Sequence, residues 1–250
     1  GNVRATLADG RKIKARLISF AAERWHLDPN DVAFLPGRVR IGNTEVPFDE
    51  LIGEAYRARV PLSATGFYAT PKINWDKEQA KGRPFFYFAY GAAVTEAAID
   101  TLTGENRLLR VDILHDVGKS LNPALDLGQI EGAYVQGAGW LTTEELWWDG
   151  EGQLKTHAPS TYKIPTLGDR APDMRIGIWE RGDNAEETIY RSKAVGEPPF
   201  MLGISALMAL SDAVAAAGEY RHYPALDAPA TPERVLAAVK RVTGAGEAVA

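Results

Sequence analysis

Four glycines interrupt an apolar stretch that opens with a strong helix-start signal. Asn122 is a good N-cap, and Pro123 suits the first helical position, where its missing N–H is not needed. The pattern predicts a helix from Pro123 to about Leu146. Within it Gly128, Gly132, Gly137 and Gly139 each weaken an exposed helix interior by roughly 1 kcal/mol relative to alanine. A fold that keeps such a helix needs a compensating contact. Either another backbone packs closely against it, or a bulky ligand lies on it. Gln129 shares this choice. Its amide carries both donors and an acceptor, and its small neighbours would let a flat heteroaromatic group approach. The same string also fits a solvent-facing helical glutamine. Gly137-Ala138-Gly139 does not complete G-x-G-x-x-G, because the third position is Thr142, and it lies inside the helix. A dinucleotide fingerprint is excluded, and no Walker-type lysine loop is present.

The second constrained string is Ala194-Val195-Gly196-Glu197-Pro198-Pro199-Phe200. Proline fixes its own φ, lacks an N–H, and pushes the residue before it toward extended backbone. Glu197 is therefore expected on a stiff, extended segment without backbone donors on its C-terminal side. That is one way to build a positioned general base. A strand-to-helix turn that happens to contain Glu reads the same way.

The remaining chain alternates strand and helix signals. Gly1 to Leu7 reads as a strand, Asp9-Gly10 as a turn and Arg11 to Trp25 as a helix. A hairpin is expected over Val39–Val46 around Gly42-Asn43, then a helix from Asp49 to Ala58 burying Leu51, Ile52 and Ala55. Phe85–Asp100 and Arg107–His115 form a long antiparallel hairpin joined by Thr103-Gly104-Glu105-Asn106. Residues 151–171 read as irregular. Ile176–Trp179 and Thr188–Tyr190 read as strands. Phe200–Ala217 reads as a helix buried on most sides, and a last helix starts at Thr231-Pro232 and ends near Gly244. The fold class is α/β of the α+β type, a mixed and antiparallel sheet packed with helices. The opening without Met suggests a piece of a longer enzyme.

Composition narrows the chemistry. Hydrophobic residues make up 45% and charged residues 24%, a globular balance, and the net charge of −5 argues against a nucleic-acid surface. No apolar run of about 18 residues is evident, so no membrane partner is expected. With no cysteine, the chain has no disulfide, thiolate zinc site, cysteine nucleophile or iron–sulfur ligands of its own. This suits a cytoplasmic location. His26, His115, His157 and His222 are too far apart in sequence to suggest a metal cluster. A two-carboxylate hydrolase would need an acid such as Asp116, Asp126, Glu131, Glu144 or Glu145 facing Glu197, and no G-x-S-x-G elbow supports serine hydrolysis.

Several strings together resemble the molybdenum hydroxylase family. They are Ser120-Leu121-Asn122-Pro123, Gly128-Gln129-Ile130-Glu131-Gly132-Ala133-Tyr134-Val135-Gln136-Gly137, Pro159-Ser160-Thr161-Tyr162-Lys163-Ile164-Pro165 and Ser192-Lys193-Ala194-Val195-Gly196-Glu197-Pro198-Pro199. Tyr90-Gly91-Ala92-Ala93, Gly66-Phe67-Tyr68 and Thr70-Pro71 add to them. They run in order over most of the chain. Within the family the match is to the C-terminal part of the molybdopterin-binding subunit of the bacterial xanthine dehydrogenase branch, with residues 1–250 as the C-terminal portion of the molybdopterin-binding domain.

The resemblance implies a molybdenum–molybdopterin cofactor whose metal is held by pterin dithiolene sulfurs. It implies Glu197 as the base that takes a proton from Mo–OH, a hydride passing to Mo=S, and purine hydroxylation from hypoxanthine through xanthine to urate. Gln129 and Gly196 become cofactor-binding positions. Burial in a dry pocket would move a glutamate from its ordinary pKa of about 4.3 toward useful base strength. The implied partners are the upstream part of the same subunit, which supplies the purine-gripping residues, and an iron–sulfur/FAD subunit carrying 2Fe-2S clusters that passes electrons to NAD in a heterotetramer. The chain alone is expected to be inactive. An aldehyde oxidase is the alternative within the family. A non-catalytic assembly module is the alternative outside it.

Overall fold

The computed structural model describes residues 2–244. It divides into two compact units, Gly1–Phe86 and Tyr87–Ala250.

In the first unit, α1 (Asn2–Trp25) is one uninterrupted helix. The expected opening strand and Asp9-Gly10 turn are therefore corrected. Ala, Leu, Arg and Lys dominate the stretch, and their helix propensity outweighs the roughly 1 kcal/mol that Gly10 loses. Lys12 and Arg16 donate to the carbonyls of Thr65 and Ser63, both at 2.7 Å, and hold the later coil on this helix. Strands β1 (Val32–Leu35), β2 (Arg38–Ile41) and β3 (Thr44–Pro47) form an antiparallel sheet, with the hairpin at Gly42-Asn43 as expected. Helix α2 (Phe48–Arg57) buries Leu51 and Ala55. Ala21, Ala22, Val32, Val39, Ile41 and Leu51 form the core of this unit. A short exposed pair, β4 (Asn74–Asp76) and β5 (Lys81–Arg83), comes next.

The second unit is built on β6 (Gly91–Ile99) and β7 (Asn106–His115), an antiparallel hairpin with a bulge at Glu96/Ala97. Asp100 closes its turn by accepting from the Leu102 and Thr103 amides. The first strand starts at Gly91, not Phe85, because its partner runs out at His115, which pairs with Gly91. From β7 the chain crosses over through α3 (Pro123–Thr142) to β8 (Asp173–Ile178), which lies parallel to β7. A parallel neighbour requires a crossover of this kind. Helix α3 stops at Thr142, four residues early. The amides of Thr143 and Glu144 both return to the Gly139 carbonyl, and the Thr142 hydroxyl bonds to that of Ala138.

Val111 and Ile113 of β7 meet Ile130, Tyr134 and Ala138 of α3, with Val117, Ala171 and Ala206, in the main core. Segment Thr188–Tyr190, expected as a strand, instead turns as a 3-10 helix at Ile189–Arg191. Asn184 Nδ2 and the Thr188 hydroxyl both donate to the Ser192 carbonyl, and these side-chain bonds replace a ladder.

The expected Phe200–Ala217 helix is a 3-10 turn, Pro198–Gly203, leading into α4 (Ile204–Ala217). Its burial is one-sided. Ala206, Leu210 and Val214 are fully buried, while Met201, Ile204 and Met208 are exposed. Pro198–Ala217 is long and apolar enough, by length and composition, to cross a membrane. That corrects the expectation that no such run exists. Here the stretch acts as a packing element, with α4 docked through Leu210 and Val214 on α5 (Pro232–Thr243). Helix α5 starts at the Thr231 cap and ends at Gly244 in the left-handed region, as expected.

Candidate active site

Helix α3 supplies one wall of the site. The Asn122 side chain accepts from the Leu125 amide and fixes its start. One face, carrying Ile130, Ala133, Tyr134, Gly137 and Ala138, is buried. Another presents Leu125, Gly128, Gln129, Gly132, Gln136 and Trp140, all at least partly open to solvent. The glycines separate along this division. A Cβ at Gly137 would lie 2.1 Å from the Phe200 carbonyl oxygen, and one at Gly203 would lie 2.4 Å from the Gly137 carbonyl carbon. These two glycines let the 3-10 turn press directly onto α3. A Cβ at Gly139 would meet the Pro165 ring at 2.1 Å. Gly128 and Gly132 have nothing within 4 Å of that position and leave the helix bare beside Gln129.

The turn pressed onto α3 carries Glu197. Its backbone has φ −102° and ψ −38°, in the helical region. The expected extended conformation before Pro198 is thus corrected. The Glu197 carbonyl accepts from the Phe200 amide at 3.0 Å, and this first 3-10 bond sets ψ. The stiffness is nevertheless present. Pro198 and Pro199 open the turn, Pro199 is fully buried, and the Phe200 ring packs on Trp140 with centroids 5.7 Å apart. Glu197 itself is exposed, so the dry surroundings expected for a base are not supplied by the described residues.

Gln129, Gly196 and Glu197 come together. A Cβ at Gly196 would lie 3.2 Å from Gln129 Oε1, so the glutamine amide rests against the glycine that precedes the acid. Among the described residues, neither the Gln129 amide nor the Glu197 carboxylate has a side-chain hydrogen-bond partner. The other candidate acids are engaged elsewhere. Asp116 pairs with Lys193, Asp126 accepts from Ser120, Glu131 holds Arg170, Glu144 accepts from Tyr162, and Glu145 holds Arg234. The Glu144 carboxylate raises the Tyr162 phenol above its ordinary pKa. None of these five is left free to be the second acid that a two-carboxylate hydrolase needs. Among them, too, no group of three or more His, Cys, Asp or Glu could hold a metal ion. A cavity of about 540 Å³, lined by residues including Tyr134, Pro165 and Arg170, contains neither Gln129 nor Glu197. The chemistry of unpaired polar groups, and not enclosed volume, therefore marks the site.

Sequence reasoning missed what stands behind Glu197. Lys193 Nζ lies 2.6 Å from Asp116 Oδ2, with both side chains about nine-tenths buried. Asp116 Oδ1 also accepts from the Gly118 amide at 2.7 Å. The one available signal was a lysine four residues before the glutamate, but nothing local to it names a carboxylate 77 residues away.

Residues 2–171 match the family described as the molybdopterin cofactor-binding domain. The chain belongs to this family. It is 48% identical over 194 residues to the xanthine dehydrogenase/oxidase of Rattus norvegicus, covering 76% of this chain and 14% of that one. It is 46% identical over 208 residues to the xanthine dehydrogenase of Oryza sativa subsp. japonica, covering 78% and 15%. The chain thus spans about one seventh of the length of these relatives. Among solved structures, the aldehyde oxidoreductase of Desulfovibrio gigas matches with a TM-score of 0.58 at 25% identity, over 80% of this chain and 20% of that one. A Cu,Mo-CO dehydrogenase shares the fold, with a TM-score of 0.58 at 21% identity over 94% and 28%. The α/β architecture of mixed and antiparallel sheets packed with helices is thus that of the molybdenum hydroxylases.

Proposed function

We propose that residues 1–250 are the C-terminal portion of the molybdopterin-binding domain of a xanthine dehydrogenase, with Glu197 as the general base of purine hydroxylation. The observation that carries this reading is the meeting of two strings that each bear a polar side chain without a hydrogen-bond partner among the described residues. Glu197 sits at the head of a proline-stiffened turn, and the Gln129 amide rests against the adjacent Gly196. The names of the relatives support the purine. The engagement of the five other candidate acids supports a single base over a carboxylate pair.

The residues fit a pterin cofactor. The Gln129 amide is free to donate and accept at a heterocycle edge, and Gly128 and Gly132 leave the helix beside it without side chains. Gln129 and Gly196 would hold the cofactor. When bound, it supplies a Lewis-acidic metal and a sink for two electrons. The chain's own residues handle the proton. The Glu197 carboxylate accepts it from the attacking oxygen, held in place by Pro198, Pro199 and the Gly137–Gly203 contact. A positioned base contributes about 10²–10⁴-fold. In the net reaction a carbon-bound hydrogen of the purine is replaced by hydroxyl from water, with two electrons and two protons released. The electrons go to 2Fe-2S clusters and FAD in a partner subunit, with NAD as acceptor, in a cytoplasmic heterotetramer. The upstream part of the subunit supplies the purine grip and the walls that dry the Glu197 carboxylate.

The test is Glu197→Gln in the complete enzyme. Turnover of xanthine should fall at least about 10²-fold, while molybdenum and pterin content stay normal. Retention of more than about a tenth of the activity would contradict the proposal.

A further inference from the structure

The residues that carry Glu197 form a short strap, Arg191–Gly196, tied to the end of β7 at several points. The Lys119 amide donates to the Arg191 carbonyl at 3.0 Å, and the Lys193 amide donates to that of Val117 at 2.8 Å. Gly118 and Ser192 form an isolated antiparallel bridge. A Cβ at Gly118 would lie 2.4 Å from the Arg191 carbonyl oxygen, and its φ of +62° is itself a glycine conformation. The Ala194 amide donates to the Tyr87 hydroxyl at 2.9 Å.

Beneath these bonds lies the Lys193–Asp116 ion pair, 2.6 Å apart and about nine-tenths buried on both sides. The ammonium also lies 5.4 Å from the centre of the Tyr90 ring. Both carboxylate oxygens are engaged, one by Lys193 and one by the Gly118 amide. Space for Asp116 is guarded as well, since a Cβ at Gly182 would lie 2.5 Å from its Oδ1.

A buried ion pair is weak support for stability, because apolar residues of similar size often serve as well. Its use lies in fixing one geometry, since a displaced lysine would leave an uncompensated charge in the interior. This pair sits where one geometry matters. Lys193 is four residues before Glu197. The chain between them has one hydrogen-bonded amide at Ala194, one partly buried side chain at Val195 and one glycine against Gln129. Beyond Glu197 the turn is fixed by Pro199 and Gly203. The acid is therefore clamped from both sides, and Lys193–Asp116 is the upstream clamp.

We propose that Lys193 and Asp116, with Tyr87, are positioning residues for Glu197. They act on the reaction through the backbone of the strap and touch neither substrate nor cofactor. This inference rests on the assignment of Glu197 as base, and its test separates the two.

In the complete enzyme, the double variant Lys193→Met/Asp116→Leu replaces the pair with apolar side chains of similar length. A displacement of about 1 Å at a reacting group lowers turnover about 10²-fold. We therefore expect kcat for xanthine to fall about 10- to 100-fold, with KM within about twofold and molybdenum and pterin content unchanged. Amide hydrogen exchange across residues 192–197 should accelerate. In a Glu197→Gln background the same double variant should cause no further loss, because the clamp has no base left to place. Losses that multiply in that background overturn the inference, and so does a wild-type kcat in a folded, loaded double variant. If Glu197→Gln alone keeps its activity, the base assignment fails instead. Should the double variant not fold, Tyr87→Phe decides. It removes one hydrogen bond from the same strap. Faster exchange at Ala194 with a lowered kcat at constant KM supports the clamp. A wild-type kcat, or a loss that tracks lowered cofactor content, overturns it.

Discussion

Replacing Gly137 by alanine tests how the two halves of the site are pressed together. The new Cβ would lie 2.1 Å from the Phe200 carbonyl oxygen, where real contacts are essentially never under 3.0 Å and ordinary ones begin at 3.4 Å. The 3-10 turn must retreat by about 1 Å, and α3 is buried there on the same face as Tyr134 and Ala138. Alanine gains up to about 1 kcal/mol in helix propensity, whereas overpacking a filled contact costs about 1–3 kcal/mol. The net expectation is a loss of up to about 2 kcal/mol in the stability of the chain. Gly132→Ala is the internal control. Nothing lies within 4 Å of its Cβ, so only the propensity gain of about 0.5–1 kcal/mol remains. Urea denaturation of the two variants, monitored by circular dichroism, should move their midpoints in opposite directions at constant m value. Gly137→Ala should also lower kcat of the complete enzyme by about 10²-fold, because the retreating turn carries Glu197 with it. A Gly137→Ala chain as stable as Gly132→Ala would refute the claim that direct contact of turn and helix builds the site.

Gln129→Leu should weaken cofactor binding by about tenfold, the loss of one hydrogen bond to a ligand edge. Molybdenum analysis and pterin fluorescence of the purified enzyme check it, and unchanged content returns Gln129 to a surface residue. His115 is 1% exposed, with an unpartnered Nδ1. Burial holds its imidazole below the ordinary value of 6.5, assisted by Lys193 and opposed by Asp116. The unfolded chain then binds a proton that the folded one refuses. The stability contribution is complete above about pH 6.5 and is lost as pH falls through the lower folded value. Tm should drop more steeply between about pH 7 and 5 for the natural chain than for His115→Leu, and parallel curves would sink the idea. Tyr134 shares its hydroxyl with Thr95, which also bonds Ser205, each at 2.7 Å. Tyr134→Phe should lower stability by about 1 kcal/mol, read from the urea midpoint.

Much of this fold was legible because local chemistry spoke for it. The Asn122-Pro123 and Thr231-Pro232 caps, the β6–β7 hairpin and the turn at Gly42-Asn43 are written within a few neighbouring residues. The failures came where a partner decides. Asp9-Gly10 reads as a turn, yet lies in a helix whose other residues outvote it. Phe85–Tyr90 is as strand-like in composition as Gly91–Ile99, but β7 ends before it could lie opposite. Thr188–Tyr190 has the composition of a strand and is wrapped instead by Asn184 and Thr188. The site divides in the same way. Glu197, Gln129 and Gly196 were named from short strings and the resemblance those strings carry. Their adjacency, and the Lys193–Asp116 pair, depend on contacts between segments far apart in the chain that no local pattern encodes.

Positioning a base and drying it are separate tasks, and under the proposed function they fall to different groups. The described residues give Glu197 a clamped backbone through Pro199, Gly203 and Lys193, yet leave its carboxylate exposed. An exposed carboxylate keeps its water, which a reacting group must displace. The order of construction then emerges from the contacts. Geometry is set first, by elements with a core of their own that includes Ile130, Tyr134 and Ala206. Under the proposed function, desolvation comes later, from the upstream walls of the subunit together with the cofactor and substrate bound over the face bearing Gly128, Gln129 and Gly132. The five other candidate acids are each held by a neighbour. Had Asp116 or Glu131 been unpaired beside the site, like-charge repulsion would have perturbed the base. Instead Asp116 is turned into the clamp, and Glu197, whose carboxylate has no side-chain partner among the described residues, is the acid the fold holds still.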